Sequence, residues 1–273
     1  MATFVGLLQS VATGAVVVGD SGVGVELAAE TRGRDSLGRY QEIDTADPIQ
    51  TQNGTINSLF VSDSVLVINP RTSAVIRSDG AISADWTDAS AGAVSLEFDM
   101  RMTGSFSLEG NQHVTETSIQ RRTFEDPLDS ALFSHNFSVD EASNYTLSFA
   151  TIGAVDSLAV SDGSRQTPTF TWSVSTSDLE NVGVFDIALN DTGSTEFALP
   201  TGDYLAILRP RNFFLGQNQE GFIETSANFN WQISAVPEPS MGAALVLLLV
   251  LGITRRRRTD LSRTYTTRTT SST

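Results

Sequence analysis

Strict two-residue alternation constrains this chain more than any other feature. From Val94 to Thr103, the apolar residues Val94, Leu96, Phe98, Met100 and Met102 alternate with Ser95, Glu97, Asp99, Arg101 and Thr103. Successive side chains of a strand point to opposite faces, so this segment predicts a strand with one dry and one wet face. Gly104 interrupts, then Phe106 and Leu108 resume the same parity, which predicts a bend or bulge. Tyr145/Leu147/Phe149, Phe170/Trp172/Val174, Phe185/Ile187/Leu189 and Phe229/Trp231/Ile233 repeat the pattern. Asp79-Gly80 and Asp162-Gly163 read as turns, because glycine supplies the positive φ that tight hairpins need. Gly193 and Gly202 bracket Phe197 to Leu199, and Leu199 to Tyr204 reads as a late hairpin. No helical stripe and no solenoid repeat occurs in this part of the chain. Residues 50–234 are therefore expected to be all-β, an antiparallel β-sandwich or jelly-roll-like domain. Residues 19–49, rich in Gly and Asp with little periodicity, read as an irregular arm or linker.

Charge and composition exclude whole classes of chemistry. The 273 residues carry a net charge of −15. Residues 1–236 hold 11 arginines against 30 acidic residues, while the charge turns positive near the end of the chain. An acidic body of this kind disfavours nucleic acid and anionic lipid as its partners. There is no cysteine, hence no disulfide framework and no thiolate nucleophile. All 17 basic residues are arginine, so there is no lysine for a Schiff base or a phosphate-binding loop.

The C-terminal end has three parts in a fixed order. Pro237-Glu238-Pro239 comes first, residues 241–254 are mostly apolar, and Arg255, Arg256, Arg257 and Arg258 follow. The prolines fix φ and lack donors, which keeps their segment extended and outside a helix. Residues 241–254 predict one hydrophobic helix of about 21 Å at ~1.5 Å per residue, short against a hydrocarbon core of ~30 Å. Local thinning and snorkelling arginines would let it insert. Four guanidinium groups resist translocation and hold the C-terminal side in the cytoplasm.

This arrangement, residues 235–258, resembles the PEP-CTERM sorting signal of exopolysaccharide-producing bacteria. The resemblance implies that Pro237, Glu238 and Pro239 form the sorting motif and that Arg255 to Arg258 form its basic stop. It implies as partners an exosortase-like membrane protease, membrane lipid through residues 241–254, and exopolysaccharide. The implied route is the inner membrane in transit, then the cell surface or extracellular matrix. Residues 259–273 follow the basic cluster, where members of that family stop. They are rich in Thr, Ser and Arg and read as a disordered tail. Residues 1–18 read either as the apolar region of a signal peptide (Phe4 to Val18) or as the first strand. No basic residue precedes Arg32, so a start upstream of Met1 is expected for the first alternative.

Candidate catalytic chemistry is sparse, and no cofactor or metal is called for. His113 and His135 belong to no metal-spaced cluster and read as surface or edge residues. No Gly-x-Ser-x-Gly nucleophile elbow occurs. Glu97 and Asp99 share a strand face, as the acid pair of a jelly-roll glycosidase would, or as the solvated side of an amphipathic strand. Phe213 and Phe214 beside Arg209 and Arg211 fit either sugar stacking or core packing. Asn53, Asn136, Asn144 and Asn190 head Asn-x-Ser/Thr triplets. The expectation is a non-enzymatic exported protein of the envelope or matrix. A surface carbohydrate-binding module and a jelly-roll glycosidase are the alternatives.

Overall fold

The computed structural model describes residues 15–35, 37–104, 113–119, 131–156, 167–216 and 220–236. The described residues form sixteen strands and no helix, and every paired neighbour is antiparallel. The expected helix over 241–254 and the tail over 259–273 lie outside the described residues, as do residues 1–14.

The first four strands are one long bent hairpin. β1 (Val16–Gly24) passes through Val25-Glu26 into β2 (Leu27–Asp35), which pairs with β3 (Gly38–Ala46). Asp47-Pro48 then leads to β4 (Ile49–Asn53), which pairs back on β1. The Val25 N–H donates to the Pro48 carbonyl across the bend (3.2 Å). Strands that switch sheets in this way make corners. Most of the described residues between 19 and 49 are therefore in strands, in place of the expected irregular arm or linker. Val16 to Val18, the end of the apolar segment at the N-terminus, belong to β1.

β5 (Leu59–Ile68), β6 (Val75–Asp88) and β7 (Ala91–Thr103) form an up-and-down meander. The parity predicted for Val94 to Thr103 holds: the apolar set is buried. Asp79-Gly80 is not a turn. It lies in the middle of β6, opposite Asp99 and Phe98. A Cβ on Gly80 would meet the Phe98 ring at 3.1 Å and Leu27 Cδ2 at 3.3 Å, so this glycine marks a close approach of side chains.

Further along are β8 (His113–Ile119), β9 (Phe133–Val139), β10 (Ser143–Val155), β11 (Thr169–Thr176) and β12 (Asn181–Ala188). The chain ends its described part with β13 (Thr192–Leu199), β14 (Gly202–Arg211), β15 (Phe214–Leu215) and β16 (Gly221–Ala235). One six-stranded sheet has the order β12-β11-β14-β9-β1-β4, and a second has β13-β10-β16-β7-β6-β5. A small sheet, β15-β8-β2-β3, completes the fold.

The two large sheets face each other across a shared aromatic core. Trp172 on β11 meets Phe229 on β16 (ring centroids 5.7 Å), and Phe137 on β9 stacks on Tyr145 of β10 (5.8 Å). Leu27 of the small sheet joins the same core, and Phe213, just before β15, packs against Phe98 (5.9 Å). Burying each such side chain contributes roughly 1.5–3 kcal/mol. The chain changes large sheets at β4–β5, β9–β10, β10–β11, β12–β13 and β13–β14. Leu199 to Tyr204 is thus a crossing between sheets and not a hairpin. Gly193 lies inside β13 and not at its boundary. The Tyr204 hydroxyl donates to the Pro200 carbonyl (2.6 Å), locking that crossing in the manner of a tyrosine corner.

Candidate functional site

Strand alternation gives the second sheet an outer face of mostly short polar side chains. β6, β7 and β16 are in register there, so Asp79, Asp99 and Glu224 form one cross-strand row. Glu97 stands one outward position along from Asp99. A groove of about 770 Å³ runs across these strands, with Ser62, Asp63 and Ser64 at one end and Ile152 at the other. The expected common face of Glu97 and Asp99 is real, and it is the solvated one.

Like charges directly opposite each other destabilise a sheet, so such a row needs counter-ions. Arginines supply them. Arg77 donates to Asp79 through Nε (2.6 Å) and Nη2 (3.1 Å), and the Asp79 carboxylate raises the Arg77 guanidinium pKa further. Arg101 Nε donates to Asp99 Oδ1 (2.8 Å), and Arg101 Nη2 pairs with Glu224. The side chains of Asp79, Asp99 and Glu224 keep 33%, 42% and 45% of their surface in water. A glycosidase acid instead needs an apolar pocket that holds its proton near neutral pH. The geometry offers a groove of hydroxyls and carboxylates, acidic on balance although Arg77 and Arg101 offset part of the charge, suited to hydrogen-bonding an extended polar chain.

A second space, about 580 Å³, lies along β1 and β4 near the bend. Gly22 and Gly24 lie along it, and Asp20, Thr51, Asn53 and Ser134 contribute polar groups. Among the described residues no group of three or more His, Asp or Glu is placed to hold a metal ion. No helix among them is long and apolar enough to cross a membrane.

His135 departs from its expected surface position. It is fully buried between the large sheets, and its Nδ1 is 2.9 Å from Ser21 Oγ. Trp231 (4.7 Å), Phe137 (5.3 Å) and Trp86 (5.7 Å) surround the ring. Its Nε2 is buried without a hydrogen-bond partner. Desolvation pulls its pKa down to about 3. A legible signal existed: Phe133, His135, Phe137 and Val139 share one parity, and three of the four are apolar. Burial likewise pushes the Tyr145 hydroxyl well above its ordinary value.

The remaining candidates resolve as follows. Phe213 is buried against Phe170 (5.0 Å), which is core packing, and Phe214 is half-buried in β15. Asn190 holds φ at 62° and bonds Gly153 on both N–H and carbonyl, so its amide is committed. His113 lies on β8, its side chain outside the described residues. Asp162-Gly163, the motif Pro237, Glu238 and Pro239, and the stop Arg255 to Arg258 also lie outside them. Comparison of the sequence with protein-family models and with curated proteins gives no match.

Proposed function

We propose that the chain is an exported, surface-sorted protein of a bacterial envelope or exopolysaccharide matrix, without catalytic activity. The observation that carries this reading is the ordered trio at its end: Pro237-Glu238-Pro239, the apolar run 241–254, and Arg255 to Arg258. In this reading the run inserts in the inner membrane, the arginines stay in the cytoplasm, and an exosortase-like protease acts near the extended motif. The body is then a β-sandwich of jelly-roll type. Two facing antiparallel sheets and the Tyr204 corner support that finer description. The acidic body faces outward, and its groove of serines and partly exposed carboxylates, three of them paired with Arg77 or Arg101, favours hydrogen bonding to a polar matrix over acid–base chemistry.

Intact-mass measurement of the surface-released protein, with and without the sorting protease, tests the proposal. Release with a new end near residue 237 only in the presence of the protease is expected. An identical, uncut C-terminus in both strains overturns it. A carbohydrate-binding module is the second reading, favoured by the open groove. It predicts glycan binding that weakens when Ser62, Ser64 and Ser226 are replaced by bulky residues.

A further inference from the structure

The geometry points to the His135 box as an acid-operated release: one proton taken up by the buried imidazole detaches β1 and β4 from β9, while the other strands of both large sheets stay paired. Three observations carry it. First, no charge faces the ring among the described residues. β1 presents Ser21, β4 presents the neutral Gln52 opposite Ser21, and β14 presents Ala206. β6 and β16 present Trp86 and Trp231, and β10 places the hydroxyl-bearing Tyr145 beside Trp231 (6.4 Å). Asp20 precedes Ser21, Asp85 precedes Trp86 and Asp88 lies two residues after it, and all three are exposed. An imidazolium in this box has no carboxylate to meet.

Second, the ladders are interrupted beside the ring. The β1–β9 ladder shifts register between Val18 and Ser21, where Gly19 and Asp20 oppose the single residue Asn136. β6 shifts register between Trp86 and Asp88. A bulge thus adjoins two of the side chains that touch His135, and bulges re-aim side chains at such places. Third, β4 is a five-residue edge strand whose one ladder partner is β1, so within their large sheet both are held by the single interrupted ladder to β9.

The direction follows from linkage. The ring's folded pKa of about 3 lies below its ordinary 6.5, so the closed form binds fewer protons than an opened one. Closure is fully favoured above pH 6.5 and is lost as pH falls toward 3. Each unit of acidification in that window multiplies the open-to-closed ratio about tenfold.

Hydrogen exchange read by mass spectrometry on the full chain tests this, with intrinsic exchange rates corrected at each pH. Expected is exchange over 16–24 and 49–53 that accelerates about tenfold per pH unit below 6.5. Strands β10 and β16 should stay protected, and His135→Gln should flatten the response. Equal profiles in the two proteins, or simultaneous loss of protection across both large sheets, overturn the proposal. Imidazole C2–H exchange on a His113→Gln background reads His135 directly and does not need His135→Gln to fold. There a ring titrating near 6.5 in a closed protein overturns the proposal, and one that titrates only with the opening of β1 supports it.

Discussion

Asn69, at the end of β5, is buried and uses every polar atom of its side chain. Its Nδ2 donates to Thr31 Oγ1 (2.7 Å) and to the Tyr40 hydroxyl (3.3 Å), and its Oδ1 accepts from the Arg71 N–H (2.8 Å). One amide thereby ties the β5–β6 turn to β2 and β3 of the small sheet. Replacing Asn69→Leu removes both donors and the acceptor, and should cost about 2–4 kcal/mol by denaturant titration, since buried polar partners lose their bonds together. Asn69→Asp keeps the shape but places a carboxylate among groups chosen for an amide. Burial raises its folded pKa above the unfolded value near 3.9. Its deficit relative to the native protein should shrink as pH falls through that folded pKa, because a protonated acid regains one donor. At Tyr204, Phe removes the hydroxyl's bond to Pro200 but keeps the ring on Phe137 (5.6 Å), so about 1–2 kcal/mol is expected. Tyr204→Ala should cost about 3–5 kcal/mol. Parity in the sequence located Val94 to Met102, Tyr145 to Phe149 and Trp231 because each residue stands on a half-buried strand. The same parity places His135 in the core beside Phe133 and Phe137, against what its residue type suggests.

At the scale of the element, the strands hidden from periodicity were those that do not alternate. In β1, Ser21, Gly22, Val23 and Gly24 are all buried, so no polar face appears in the sequence. β3 is mostly exposed, so no apolar face appears. Gly80 inside β6 mimicked a turn because glycine serves both a positive φ and a tight approach, and sequence alone does not separate the two. The edge strand β5 carries a different hazard. Phe60 (61% exposed), Leu66 (53%) and Ile68 (59%) lie on its outer face, beside the unpaired backbone edge on which unwanted strand pairing grows. Side chains block that edge. Gln50 Oε1 accepts from the Phe60 N–H (2.6 Å), and Asp44 Oδ2 accepts from the Leu66 N–H (2.9 Å). The double variant Gln50→Ala, Asp44→Ala should lose little stability, about 1–2 kcal/mol, because both caps are exposed. Its main effect should be concentration-dependent association seen by light scattering. Gln50→Glu retains an acceptor and should stay as monodisperse as the native protein.

For the whole molecule, charge sets the balance between solubility and stability. Residues 1–236 carry 30 acidic groups and 11 arginines, so the compact body repels itself at pH 7. The ion pairs of Arg77 with Asp79 and of Arg101 with Asp99 are exposed, and pairs of that kind are worth about 0–1 kcal/mol each. Salt screens both effects, with a Debye length of ~30 Å at 0.01 M and ~10 Å at 0.1 M. The short pairs span less than 3 Å and lose little, whereas repulsion summed over the body acts across tens of ångströms and loses most. Tm should therefore rise as NaCl increases from ~0.01 M to ~0.2 M, then flatten once the Debye length falls below the spacing of the carboxylates. A Tm that falls over this range would show that local pairs outweigh net repulsion. Acidification supplies a separate handle on the same balance. Acid that lowers the net negative charge relieves repulsion across the body, while protonating His135 opposes closure at one place. His135→Gln should consequently move the pH of maximum stability to more acid values, measured as Tm against pH at fixed ionic strength, with the native protein's optimum lying above the variant's.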